Sequence, residues 1–258
     1  MGIRINAVLN IIGLALVLTV NALANILPIN GFNTGQISAF YPNFFVPAGF
    51  TFSIWGIIYL MLIGFVICSI AATSKKMDQL SKDAINRVSP LFQITCILNA
   101  GWILSWHYLY LASSLAIMIF FLTTLIFLYL RIHQFKRKLT PFIRFWVHHS
   151  FVVYLAWISV ATIANTTALL VGIGWQGSPF LAQTWSIMMI TIALILGIIF
   201  VGKRKEPAYG FVLAWAFIGI YANQMAESRE IGIAAGLSVC IILSLTFTIL
   251  IKIRKAGA

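Results

Sequence analysis

The sequence predicts an all-α fold, a polytopic transmembrane helix bundle of about eight spans, on three observations. Of its 258 residues 61% are hydrophobic and only 9% charged, against roughly 25% charged in a soluble domain. Apolar runs of about 18 or more residues recur along the chain, long enough at 1.5 Å per residue to cross a hydrocarbon core of about 30 Å. The strand alternation of an outer-membrane barrel is absent, and in lipid that leaves helices.

Taken in order, the spans fall at about residues 6–28, 48–72, 90–111, 114–132, 146–171, 181–202, 207–225 and 231–252, with ends defined to within a few residues. Between the third and fourth only Leu111-Ala112-Ser113-Ser114 intervenes. A single helix through both would overshoot any bilayer, so a tight hairpin is expected there. In the first segment Arg4, an apolar core and Ala22-Leu23-Ala24 imitate a secretory signal. Asn10, Asn21 and Asn25 interrupt that run, and Asn21 and Asn25 lie one turn apart. This suits a retained helix that faces other helices. Gly172, Gly174 and Gly177 suggest a mobile loop after the fifth span.

The net charge of +12 is built from 17 basic and 5 acidic residues. The basic residues fall in blocks between spans: Arg4; Lys75, Lys76, Lys82 and Arg87; Arg131, Lys136, Arg137, Lys138 and Arg144; Lys203, Arg204 and Lys205; Lys252, Arg254 and Lys255. Arg229 alone lies on the other side. By the positive-inside rule both termini are cytoplasmic, in agreement with an even number of spans. The blocks serve topology and contact with anionic lipid, and no nucleic-acid partner is expected.

Catalytic signatures are missing. No HExxH, GxSxG, paired acids or glycine-rich phosphate loop is present, so no catalytic residue, cofactor or enzyme activity is expected. Cys68, Cys96 and Cys240 lie singly within spans and read as small buried apolar residues. His148 and His149 are adjacent and point to different helix faces, so no metal site is assigned to them. Asp78, Asp83, Glu206, Glu227 and Glu230 all fall in loops or at helix ends, which weakens a proton- or sodium-coupled transporter.

What remains is aromatic and amide. Phe52, Trp55 and Tyr59 stand at i, i+3 and i+7; Asn99, Trp102 and Trp106 repeat that spacing; Trp157, Ala161 and Asn165 stand at i, i+4 and i+8. Each set occupies one helix face. With the topology above, Trp55, Trp106 and Asn165 lie some 8–11 Å below the outer surface at helical rise. Three stripes at one depth would line one cavity. Trp146, Trp175 and Trp185 sit at span ends and read as interface-belt residues.

These residues resemble a known family. PAGFTFSIWGIIYLMLIG, from Pro47 to Gly64, is similar to the second helix of the tryptophan-rich sensory protein and translocator protein (TspO/MBR) family. Asn99-Ala100-Gly101-Trp102 resembles its third-helix motif, and Trp157-Ile158-Ser159-Val160-Ala161-Thr162-Ile163-Ala164-Asn165 its fifth-helix motif. Order and helix number agree over about residues 5–172. Ala39-Phe40-Tyr41-Pro42 stands where the family has a Trp-Tyr signal, and of a proline pair only Pro47 is present. The three spans within 181–252 have no counterpart in the five-helix family.

The resemblance implies a five-helix ligand-binding core at residues 1–172, with residues 173–258 adding three helices. It implies a pocket lined by the second, third and fifth helices for a hydrophobic small molecule, tetrapyrrole or sterol-like, and a homodimer in a bacterial cytoplasmic membrane. Trp55, Asn99, Trp102, Trp157, Ala161 and Asn165 are the residues it names; Phe52, Tyr59 and Trp106 join them as members of the same stripes. A binding or sensory role is the leading expectation, and transport of a small hydrophobic solute is the alternative. A cholesterol-type pattern from Leu125 through Tyr129 to Arg131 is read as chance.

Overall fold

A computed structural model describes residues 2–27, 29–175 and 179–256; Gly177 lies outside these. Among the described residues there are eight long helices and no strand. They are α1 (Ile3–Asn25), α2 (Ile54–Ala71), α3 (Gln79–His107), α4 (Leu111–His133), α5 (Ser150–Gly172), α6 (Pro179–Ile198), α7 (Pro207–Gln224) and α8 (Arg229–Ala256). Seven segments are long and apolar enough to cross a membrane: Ile3–Asn25, Gly49–Ala71, Gln79–His107, Leu111–His133, Pro141–Gly172, Ala182–Lys203 and Arg229–Lys255. The protein is a polytopic membrane helix bundle.

Seven such segments stand against the eight expected, and α7 accounts for the difference. It spans 18 residues and carries Tyr209, Tyr221, Asn223 and Gln224, which lower its hydropathy. One face is turned to protein, with Tyr209, Leu213, Phe217, Ile220 and Gln224 all buried, while Phe211, Ile218 and Tyr221 are exposed. A face packed on protein tolerates polar groups that a lipid-facing one does not.

Other boundaries shift for local reasons. The connection between α3 and α4 is Tyr108–Tyr110, three residues before the expected hairpin, and Leu111 already begins α4. Leu109 makes the turn with φ of 60°, and the Tyr110 amide returns to the Ser105 carbonyl at 2.9 Å. At its other end α3 starts eleven residues before the expected 90, because Asp78 caps it by accepting from the Ser81 amide at 2.8 Å. Helix α5 is preceded by the short helix Pro141–Ile143 and a π-helical stretch, Arg144–His149.

The chain packs as two compact units, Met1–Ile37 with Ser53–Leu155, and Ser38–Phe52 with Ala156–Ala258. In the first, α1 lies against α2 and α3, and α3 pairs with α4. Phe65, Phe92 and Phe151 form its aromatic centre at ring separations of 4.8–6.1 Å. A row of amides runs between α1 and its neighbours. Asn6 bonds Asn86, Asn10 donates to both Ser69 and Ser89 at 2.9 Å, and Gln93 donates to Asn10 at 3.0 Å. Such bonds hold membrane helices together where the hydrophobic effect contributes little between them. Trp146, expected at the membrane interface, also packs on Gly64 of α2, where any side chain would collide with the indole.

In the second unit α6, α7 and α8 pack on one another. Residues 43–51 of the first connection are held by α7. Ala48 N–H donates to the Gly219 carbonyl at 2.9 Å, Trp215 Nε1 to Thr51 O at 2.9 Å, and Asn223 and Gln224 to Val46 O at 3.1 and 3.2 Å. Phe50 meets the Trp215 ring edge-on at 5.4 Å.

One expectation about a single residue is corrected. Cys240 is exposed on α8, whereas Cys68 and Cys96 are buried. Glu206 does precede α7, but its side chain is wholly buried. Leu125 and Tyr129 are buried too, so the cholesterol-type pattern does not form a lipid-facing strip.

Candidate functional site

The first unit brings Trp55, Tyr59, Asn99, Trp102 and Trp106 together. The i, i+3, i+7 spacing sets the α2 and α3 stripes face to face, and the rings form one column. Tyr59 stacks on Trp55 at 5.5 Å, Trp55 on Trp102 at 5.9 Å, and Trp102 on Trp106 at 6.3 Å, all within 28° of parallel. Each stacked pair adds about 0.5–1.5 kcal/mol beyond the area it buries.

Tyr154 of α5 completes this arrangement. Its ring meets Trp55 edge-on at 6.0 Å and Phe121 at 5.3 Å. Its hydroxyl accepts from Asn99 Nδ2 at 2.9 Å, while Asn99 Oδ1 accepts from Asn21 Nδ2 at 2.8 Å. Asn99, with 0% of its surface exposed, therefore ties α1, α3 and α5 together. The Tyr59 hydroxyl is buried and faces the Asn99 amide without closing a well-formed hydrogen bond.

The indole N–H groups differ in their fates. Trp106 Nε1 donates to the Thr34 carbonyl at 3.2 Å. Trp102 is 4% exposed, and its Nε1 has no acceptor among the described residues. A buried donor in that state costs about 1–3 kcal/mol. The Trp102 ring has two near-parallel neighbours, Trp55 and Trp106. What Trp102 offers is its N–H edge.

The column is closed at the end of α3 by the first connection. His107, fully buried, contacts the Ile29 carbonyl through Nδ1 at 3.2 Å and Thr34 Oγ1 through Nε2 at 3.2 Å. A carbonyl only accepts, so Nδ1 carries the proton and Nε2 receives the Thr34 hydroxyl. Asn30 Nδ2 bonds the His107 carbonyl at 3.1 Å. Residues 29–34 are thus fixed to the end of α3.

The second unit holds Phe52, Trp157, Ala161 and Asn165. Phe52 meets Trp157 edge-on at 6.2 Å. Trp157 and Asn165 are buried, and Ala161 is half-buried one turn from each. Tyr154, which heads the fifth-helix run similar to the family, Thr34 and the Asn21 to Asn99 bond are not among the residues that the stripes mark. Tyr154 stands three residues before Trp157 on the same helix.

A bundle of helices long and apolar enough to cross a membrane, with a buried aromatic column on α2 and α3, defines a class of integral membrane protein. The sequence matches the family model described as TSPO-like protein over residues 7–249. The chain belongs to the TSPO-like protein family. The match runs past residue 172 through α6, α7 and most of α8. No match to a curated protein or to a solved structure was found.

Proposed function

We propose that this TSPO-type membrane protein binds a flat hydrophobic ligand, porphyrin-like or sterol-like, at the Trp55, Tyr59, Trp102 and Trp106 column, and that it does so without chemically altering the ligand. The observation that carries this reading is the buried, unsatisfied Trp102 N–H within a stack of aromatic rings. A carboxylate, carbonyl or hydroxyl on an apolar ring system would accept that hydrogen bond and recover its cost. Because Trp102 already has indole neighbours in Trp55 and Trp106, the ligand meets its N–H and stacks at an end of the column. The resemblance suggests ligand roles for Trp157, Ala161 and Asn165 as well, and the shared stripe adds Phe52; the same titration tests each.

We take residues 1–172 as the ligand-binding core and residues 173–258 as helices added to it. With α7 counted as a crossing, the positive-inside rule supports cytoplasmic termini, and the resemblance suggests a bacterial cytoplasmic membrane. The resemblance also suggests a homodimer, which light scattering of the detergent complex would measure.

The test is quenching of tryptophan fluorescence in the detergent-solubilised protein titrated with protoporphyrin. Saturable quenching that Trp102→Phe weakens is the expected result. Linear quenching that is indifferent to Trp55, Trp102 and Trp157 substitutions would rule out a tetrapyrrole site. Recovery of altered porphyrin after prolonged incubation would overturn the non-catalytic part.

A further inference from the structure

We propose that Arg87, Arg131 and Gln134 form a binding site for a phosphate group, carried by an anionic phospholipid or free in solution, at the end of the α3 and α4 pair remote from the aromatic column. The three-residue connection makes α3 and α4 antiparallel, so the start of one and the end of the other meet at the same membrane face. Arg87 is 19 residues before Trp106 on α3, about 28 Å along the axis. Arg87, Arg131 and Gln134 line a cleft of about 380 Å³ there, within the roughly 300–1,000 Å³ common for small-molecule sites.

The two guanidinium groups are held. Arg131 Nη1 donates to the Arg87 carbonyl at 3.4 Å, and the Arg87 guanidinium lies over the Phe135 ring at 5.6 Å. Among the described residues no carboxylate pairs with either arginine. Asp83, one turn before Arg87, instead accepts from the Gln79 amide at 2.8 Å. Two like charges converge on one cleft and neither is in an ion pair with a carboxylate among the described residues, so a bound anion would relieve that repulsion. Guanidinium forks match phosphate oxygens in pairs, and the Gln134 amide adds a third donor. Phe127, one turn before Arg131 on α4, and Ile94, two turns after Arg87 on α3, are exposed. Such apolar residues suit acyl chains attached to the phosphate.

General attraction of a basic protein to an anionic surface would not depend on these particular residues. The experiment therefore compares charge-matched variants. Native mass spectrometry would count dioleoylphosphatidylglycerol retained by the full chain in detergent, against dioleoylphosphatidylcholine. Arg87→Gln with Arg131→Gln should weaken retention roughly tenfold or more. Arg137→Gln with Lys138→Gln removes the same charge beside the cleft and should leave retention unchanged. Arg87→Lys with Arg131→Lys, the variant to use if the glutamine pair fails to fold, should also weaken it, because a point charge replaces the fork. Inorganic phosphate distinguishes the sources. If it displaces phosphatidylglycerol at comparable concentration, the phosphate alone is recognised; if it does not, the lipid is the ligand. Equal retention by all variants, or equal loss in the Arg137 and Lys138 control, would overturn the site.

Discussion

Trp102 and Asn99 stand one turn apart on α3 but do different work. Trp102 carries an N–H with no acceptor, so Trp102→Phe removes an unsatisfied donor while keeping most of the ring. The variant should fold with a melting temperature close to that of the parent and bind protoporphyrin roughly tenfold more weakly. Asn99 is committed to Asn21 and Tyr154. Asn99→Leu should destabilise the protein by about 1–2 kcal/mol, measured by thermal unfolding in detergent, because it removes the buried hydrogen bonds to Tyr154 and Asn21, the latter keeping its bond to the Val17 carbonyl. Loss of ligand binding in that variant alone would thus say little about contact with the ligand. The sequence marked both residues by spacing, yet spacing does not reveal whether a polar group has already found its partner 78 residues away.

At the scale of the element, α3 and α7 each offer a test. Asp78 caps α3, and the Ser81 amide that bonds its carboxylate holds the carboxyl below its ordinary value of 3.8. A folded-state pKa lowered in this way contributes stability above the ordinary value, and the contribution disappears as pH falls through the folded one. Asp78→Ala should cost about 1 kcal/mol at neutral pH, and the difference from the parent should vanish when unfolding is measured progressively below pH 3.8. On α7, Gly219 lies against Thr51, whose side chain occupies the place a methyl group would take. Gly219→Ala should force residues 43–51 away from α7, lowering the melting temperature by several degrees and exposing Lys-free loop backbone to a broad protease in limited digestion. Survival of the loop against protease in that variant would show that α7 does not hold it.

Across the whole molecule, the membrane class and the positions of most helices could be read from hydropathy and from the separation of basic blocks. The aromatic stripes were legible for the same reason: contact within one helix follows a fixed spacing. One thing was hidden. Leu109 adopts a left-handed turn that no glycine announces, so the α3 to α4 connection lies earlier than its residues suggest. Helix α7, expected at 207–225, runs from Pro207 to Gln224, although its Tyr, Asn and Gln side chains lower its hydropathy. The orientation read from charge can be checked directly. A fluorescent protein fused after Lys255 should mature and fluoresce, whereas alkaline phosphatase at the same position should be inactive; the opposite pair of results would invert the topology.

The grip of α7 on the first connection also sets an order of events during synthesis. Thr51 and its partner Trp215 are 164 positions apart, an interval of roughly 8–33 s at ribosomal rates of about 5–20 residues per second. Throughout that time the loop's carbonyls at Val46 and Thr51 have none of their eventual partners, although the helices on both sides of the loop have already been made. The newborn chain therefore passes through a stage in which this connection is open, and it closes only when one of the last segments arrives.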